Sequence, residues 1–304
     1  MPVTVRKVLI PVDFSLCSHI AALAGTRLAK RLDIEAKLVH VIEPVPALGL
    51  DAEKREAFER EILRRANDAM ARTLADLSAE SGDISSSILQ GEVGWELLRA
   101  ASHPPASLIV IGSSGRADDE PFLLGSVAAR LIRDAKCPVL VMRNQHATRL
   151  PKDGLFKQPL AAIDYSRFSE LAVQYAAALS EPDATVELYH ALFVPRFELY
   201  PRDEVDKVFA ATFEYNRKKQ ATRLHAVAEA AAIDRKVKPL IEMGRAGELI
   251  SEHIEKNDID LVVTGAHGSR SSEDLLIGSV ADRLLRGSAA PVLCIPDGAV
   301  REGM

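Results

Sequence analysis

A chain of 304 residues, 47% hydrophobic and 27% charged, is long enough for two domains of about 150 residues, each burying its own core. Its net charge of −5 supplies no chain-wide basic surface for nucleic acid, and no apolar run approaches the roughly 20 residues that a membrane span needs. Three widely spaced cysteines, Cys17, Cys137 and Cys294, argue against a disulfide framework, and Met1 to Leu9 lack the apolar core and cleavage site of a signal peptide, so a cytoplasmic location is expected.

In chain order, Val5–Val12 is an apolar run carrying two basic residues, Arg6 and Lys7, that reads as a buried parallel strand, followed by a helix that Ser15 or Ser18 would cap. Lys37–Ile42 is a second strand, and a proline-rich loop from Pro44 to Leu50 leads into a long charged segment, Asp51 to Ser81. There Phe58, Ile62, Ala66, Met70, Leu74 and Leu77 recur at helical steps and predict one apolar face. Ile84–Leu89 is a third strand, Gly91 and Gly94 mark a turn, and Trp95–Ala101 reads as a short helix with Trp95 packed on the sheet. Leu108–Ile111 is the fourth strand. The loop Gly112-Ser113-Ser114-Gly115 follows, then nine residues, then Gly125-Ser126, a helix through Arg133 and a fifth strand at Pro138–Met142.

The polar stretch from Asn144 to Gln158 carries Pro151 and Gly154 and reads as a linker, after which the same order begins again. Asp13-Phe14-Ser15 returns as Asp164-Tyr165-Ser166, Leu38-Val39-His40 as Leu188-Tyr189-His190, and Gly91-x-x-Gly94 as Gly244-x-x-Gly247. The glycine loop returns as Gly265-Ala266-His267-Gly268, nine residues, Gly278-Ser279. Offsets of 150 to 153 across these features mark a tandem duplication of a whole domain. The predicted organisation is a first domain over 1–145, a linker over 146–158 and a second domain over 159–304. Each alternates strands and helices around a parallel sheet. The second long helix, about Asp203 to Ala231, is less regular, since Asn216 and Gln220 interrupt its apolar side.

Glycines after a strand permit positive φ and close ligand approach, and N–H groups at a helix start suit anions. Ser126 and Ser279 fall where an N-cap hydroxyl would sit. The two loops therefore predict a nucleotide phosphate site, present twice, with Asp13 and Asp164 at the crevice and His267 donating to a phosphate. His40 and His190, inside apolar strands, read as hydrogen-bonded core histidines, and Cys17 as a small buried residue of the first helix. There is no G-x4-G-K-[ST], H-E-x-x-H or G-x-S-x-G, and no lysine lies in either loop to stabilise a transferred phosphoryl group, so binding is favoured over turnover.

These residues resemble the universal stress proteins in their tandem two-domain form. The resemblance covers nearly the whole chain and rests on two complete G-x2-G-x9-G-[ST] elements, each preceded by a strand ending in aspartate. It implies two doubly wound domains of the adenine nucleotide alpha hydrolase-like type, each a five-stranded parallel sheet in order 3-2-1-4-5, paired about a pseudo-twofold axis through strand five. It also implies ATP, or ADP or AMP, as ligand. Pro11, Val12, Asp13 and Val41 would line adenine and ribose in the first repeat, with Gly112, Ser113, Gly115, Gly125, Ser126 and Val127 holding ribose and phosphates. The matching positions in the second repeat are Ala162, Ile163, Asp164 and Ala191, then Gly265, His267, Gly268, Gly278, Ser279 and Val280. Ala162 in place of Pro11 and Ala191 in place of Val41 imply a looser adenine slot. In the first spacer Asp118, Asp119 and Glu120 would repel a triphosphate unless they face solvent or share Mg²⁺, whereas Ser269–Ser272 make the second spacer kinder to phosphate. The expected role is a nucleotide-dependent stress-response regulator or sensor with an unidentified protein partner, as an intrachain pseudo-dimer open to further dimerisation. The alternatives are a nucleotide-free scaffold or small-molecule carrier, and a slow ATPase.

Overall fold

The computed structural model describes residues 3–44, 51–78, 82–103, 107–115, 123–192, 202–268 and 277–301. The chain divides into two compact units, residues 4–155 with 293–304, and 156–292 with 1–3. The first contains β1 (Lys7–Pro11), α1 (Leu16–Leu32), β2 (Glu35–Ile42), α2 (Ala52–Leu77), β3 (Ile84–Gln90), α3 (Val93–Ser102), β4 (Leu108–Gly112), α4 (Ser126–Asp134) and β5 (Val139–Met142). Its strands run in the order β3-β2-β1-β4-β5, and the ladders are parallel. β1, β4 and β5 are buried at every position, which explains their unbroken apolar runs: helices cover both faces of such a sheet.

The second unit repeats the scheme with β6 (Pro159–Ala162), α5 (Ser169–Ala178), β7 (Thr185–Leu192), α6 (Arg202–Ala231), β8 (Lys236–Met243), α7 (Ala246–Lys256), β9 (Leu261–Gly265) and α8 (Ser279–Gly287). Its parallel strands follow β9-β6-β7-β8, the counterpart of 4-1-2-3. β10 (Val292–Ile295) and α9 (Asp297–Arg301) complete the chain. Pro239 lies within β8 and is tolerated because β8 is a terminal strand in this order. β7 carries a buried glutamate. Glu187 Oε1 accepts from Lys238 Nζ at 2.7 Å, and Oε2 lies 2.6 Å from His253 Nε2 of α7. Asn257 Nδ2, 3.2 Å from His253 Nδ1, donates to that nitrogen, so Nε2 carries the hydrogen that meets the carboxylate and α7 is pinned to β7.

Local chemistry sets the helix starts. Ser15 is the N-cap of α1, its Oγ accepting from Ser18 N–H at 3.2 Å, and Asp51 caps α2 by accepting from Lys54 N–H at 2.8 Å. Two expectations are corrected. α2 buries Ala66, Met70 and Leu77, but Phe58 is 49% exposed; the amino-terminal half of α2 is instead laced by ion pairs such as Arg64–Glu61 and Arg64–Asp68. Trp95 does not pack onto the sheet. α3 buries Gly94, Leu97 and Ala101, one helical stripe, and Trp95 falls outside that phase and is 60% exposed.

The segment between the repeats has structure of its own. Asn144–Arg149 form a 3-10 helix closed by the fully buried His146, whose Nδ1 accepts from Arg143 N–H at 3.0 Å. Gly154, at φ 87°, turns the chain against the Arg27 carbonyl of α1. Phe156, 2% exposed, then donates its N–H to Leu179 O at 3.0 Å. A side chain at 154 would meet both a left-handed backbone and the Arg27 carbonyl. We expect Gly154→Ala to destabilise the chain by more than about 1 kcal/mol, read as a lowered urea midpoint at unchanged m-value.

Candidate functional site

In the first repeat the strand order reverses at β1, which pairs with β2 on one side and β4 on the other (Ile10 opposite Leu38, Leu9 opposite Ile109). Ligands in open parallel sheets lie at such a reversal, beyond the carboxyl ends of the strands. Asp13 and the Gly112–Gly115 loop emerge there side by side. The second repeat does the same with β6 between β7 and β9, from which Asp164 and Gly265–Gly268 emerge. The predicted aspartates and glycine loops are thus brought together in both halves.

The contact between them is close. A Cβ on Gly115 would stand 2.9 Å from Asp13 Oδ2, and one on Gly268 would stand 3.0 Å from Asp164 Oδ2. The other carboxylate oxygen is held locally: Asp13 Oδ1 accepts from Ser15 N–H at 3.0 Å and Ser15 Oγ–H at 2.6 Å, and Asp164 Oδ1 accepts from Ser166 N–H at 3.0 Å. The far side of each loop is closed by a backbone bond, Gly125 N–H to Ser113 O and Gly278 N–H to Ala266 O, both 2.7 Å.

None of these loop glycines has a positive φ, so the expected left-handed turn is corrected: steric closeness, not dihedral freedom, excludes a side chain. The reasons differ by position. A Cβ on Gly112 would sit 3.0 Å from Cys17 Sγ, and one on Gly265 would sit 2.7 Å from the Phe168 ring, so these two let the first helix of each repeat close on the sheet. Gly115 and Gly268 face the aspartates and are exposed. The N-cap expectation is also corrected. Gly125 and Gly278 are the N-caps of α4 and α8, and Ser126 and Ser279 are the first helical residues, both exposed. Both N-caps are glycines, so among the described residues no N-cap side chain accepts from the leading N–H groups of either nine-residue helix.

The remaining predicted positions divide by exposure. Pro11, Val12 and Val41 are buried at the strand ends, as is Ile163; Ala162 and Ala191 are half-buried, and so are Val127, Val280 and His267. Ser113 is buried, its hydroxyl 3.8 Å from the buried Cys17 Sγ, so it offers the loop its backbone rather than its side chain. Asp118, Asp119, Glu120 and Ser269–Ser272 lie outside the described residues, as does most of the proline-rich loop after Pro44.

A second constellation, seen in the sequence only as a repeated histidine, lies beside each aspartate. Phe14 and Tyr165 adopt φ of 65° and 63°, rare for bulky residues. Their rings rest on His40 and His190, centroids 4.4 and 4.6 Å apart. Each imidazole lies 2.7 Å from a carbonyl of the first strand's end, His40 Nδ1 to Val12 O and His190 Nδ1 to Ile163 O. A carbonyl only accepts, so Nδ1 carries the hydrogen. The usable signal was the aromatic that follows the aspartate in both repeats.

The universal stress protein family model matches residues 4–143 and 156–296. A universal stress protein of Mycolicibacterium smegmatis is 26% identical over 299 residues, covering 95% of this chain and 96% of the relative. One from Methanocaldococcus jannaschii is 34% identical over 139 residues, 45% of this chain and 82% of that protein. The crystal structure of a universal stress protein from Archaeoglobus fulgidus superposes with a TM-score of 0.65 at 21% identity, covering 95% of this chain and 96% of the other, a likeness of fold. Two tandem doubly wound domains, each with a glycine loop at its strand reversal, define the class. The chain belongs to the universal stress protein family.

Burial lowers the pKa of His190 below its ordinary 6.5, with the Arg223 charge adding to that; the Ile163 carbonyl and Asp164 pull the other way. A histidine with a lowered folded pKa binds fewer protons folded than unfolded, so stability falls as pH drops below about 6.5. We expect urea unfolding between pH 5 and pH 8 to show this slope, and His190→Asn to flatten part of it.

Proposed function

We propose that each repeat binds an adenine nucleotide, ATP in the first instance, and that the bound state regulates contact with a protein partner in the cytoplasm. The observation that carries this reading is the repeated approach of an aspartate carboxylate to a bare glycine at the strand reversal. A carboxylate there accepts hydrogen bonds from ribose hydroxyls or the adenine amine and repels phosphate, which assigns it to the nucleoside end. Pro11, Val12 and Val41 supply an apolar wall for the base. Ser126, Ser279 and the leading N–H groups of α4 and α8 suit phosphates, because their glycine N-caps supply no side-chain acceptor. Val127 and Val280 contribute backbone N–H groups at the same helix ends and His267 a ring N–H in the second loop; Ser113, whose N–H donates to Met142 O at 2.7 Å, shapes the first loop.

The residues fit the nucleotide: the wall is apolar where a base would lie, and among the described residues the N-caps of α4 and α8 bring no side-chain acceptor to the helix N–H groups where charge would lie. Mg²⁺ would serve as phosphate counter-ion. Half-buried Ala162 and Ala191 leave the second base slot less filled than the first. With no lysine in either loop, the chain binds nucleotide rather than turning it over.

Calorimetric titration of the full chain with ATP and Mg²⁺ tests this reading. We expect two sites per chain, one site after Gly115→Val or Gly268→Val, and none in the double variant, since a side chain at either position collides with the aspartate. Unchanged binding in a double variant whose circular dichroism matches wild type would overturn the assignment.

A further inference from the structure

The first repeat holds a cavity of about 630 Å³ between α2 and the ends of β1 and β2. Phe14, His40, Ile62, Ala66, Ala69 and Arg72 line it. A neighbouring cavity of about 350 Å³ shares Phe14, Ala69 and Arg72 and reaches Ser15 and His19 of the α1 start, so the two form one groove between α1 and α2. It meets the proposed base site at Val12, which lines the second cavity, and otherwise lies away from the glycine loop. His40 and Val41 are consecutive in β2 and point to opposite faces of the sheet, and the groove lies on the His40 face. Its volume is in the range of small-molecule sites, roughly 300–1,000 Å³.

The charge pattern selects the ligand. Of the arginines that line the groove, Arg64 is paired with Glu61 at 2.8 Å and Asp68 at 2.7 Å, and Arg65 with Glu61 at 2.7 Å. Arg72 makes no ion pair among the described residues. The second repeat shows another use of such an arginine. Arg223 follows Tyr165 by 58 residues, as Arg72 follows Phe14, and its Cζ stands 3.7 Å from the Tyr165 ring centroid. Tyr165 O–H in turn donates to Gln220 O of α6 at 3.4 Å. There the cation is spent on the protein's own aromatic ring; in the first repeat it borders an open groove floored by apolar side chains.

We propose that this groove binds a small organic anion with a flat apolar body, of the aromatic carboxylate class, in the first repeat only. The ring lies along Phe14, Ile62, Ala66 and Ala69, and the carboxylate takes the planar fork of the Arg72 guanidinium. Titration of the full chain with 2-naphthoate, followed by calorimetry, tests it. The expected result is saturable binding of one molecule per chain, weakened about tenfold or more by Arg72→Gln and abolished by Ala69→Trp, which fills the groove. Arg72 is exposed, so its variant keeps the fold, and the thermal midpoint checks both variants. Saturating ATP leaves the binding unchanged. Absence of saturable binding, wild-type affinity in Arg72→Gln, or displacement of naphthoate by ATP would overturn the proposal; the last would put the probe in the nucleotide crevice. Loss of ATP binding in the glycine variants leaves the naphthoate site intact, so the two readings fail separately.

Discussion

The arrangement depends on one close approach, an aspartate carboxylate set against a residue that has no side chain. Asp13 Oδ2 stands 2.9 Å from where a Cβ of Gly115 would be, and Asp164 Oδ2 stands 3.0 Å from the same point at Gly268. This requires the first and fourth strands of each repeat to be direct parallel neighbours, as β1 with β4 and β6 with β9 are. It also requires the chain to leave the first strand abruptly. The residue after each aspartate absorbs that turn, at φ 65° in Phe14 and 63° in Tyr165, a conformation costing on the order of 1–3 kcal/mol. Glycine would remove the strain, but also the ring that rests on His40 or His190. The histidine in turn holds the carbonyl just before the aspartate, at 2.7 Å in both repeats. Strained turn, ring stack and imidazole bond together fix where the carboxylate points.

Much of this fold was legible in the sequence because its signals are local or duplicated. Unbroken apolar runs gave the buried strands, and a near-constant offset between Asp13 and Asp164 and between the two glycine loops gave the repeat. What was not legible depends on phase and on distant contacts. Trp95 is apolar and helical, but whether it faces the sheet depends on the helix turn at which Gly94, Leu97 and Ala101 meet it. Phe58 continues the spacing of Ala66 and Met70, yet it lies on the half of α2 dressed with ion pairs. Glycine spelling alone cannot separate Gly112, whose hydrogen faces Cys17, from Gly115, whose hydrogen faces a carboxylate. One is glycine for helix packing and the other for the crevice, and only the sheet register distinguishes them.

The repeats agree in what builds the crevice and differ in what covers the opposite face. The second half spends its polar residues on internal ties: Arg223 on the Tyr165 ring, and Glu187 on Lys238 and His253. In the first half Lys37 stands at the strand position of Glu187, and Phe14, lacking a hydroxyl, cannot make the bond that Tyr165 donates to α6. The changes are therefore coupled in kind. A phenol allows the long helix to be tied down and its arginine to be laid on the ring, whereas a phenyl leaves the helix to meet the sheet through Ala66, Ala69 and Met70. Small residues in that stripe set the helix over a groove rather than a filled core. One duplicated scaffold thus separates two demands: a common edge with fixed geometry, and a face on which the arginine of the long helix borders a groove in the first copy and lies on an aromatic ring in the second.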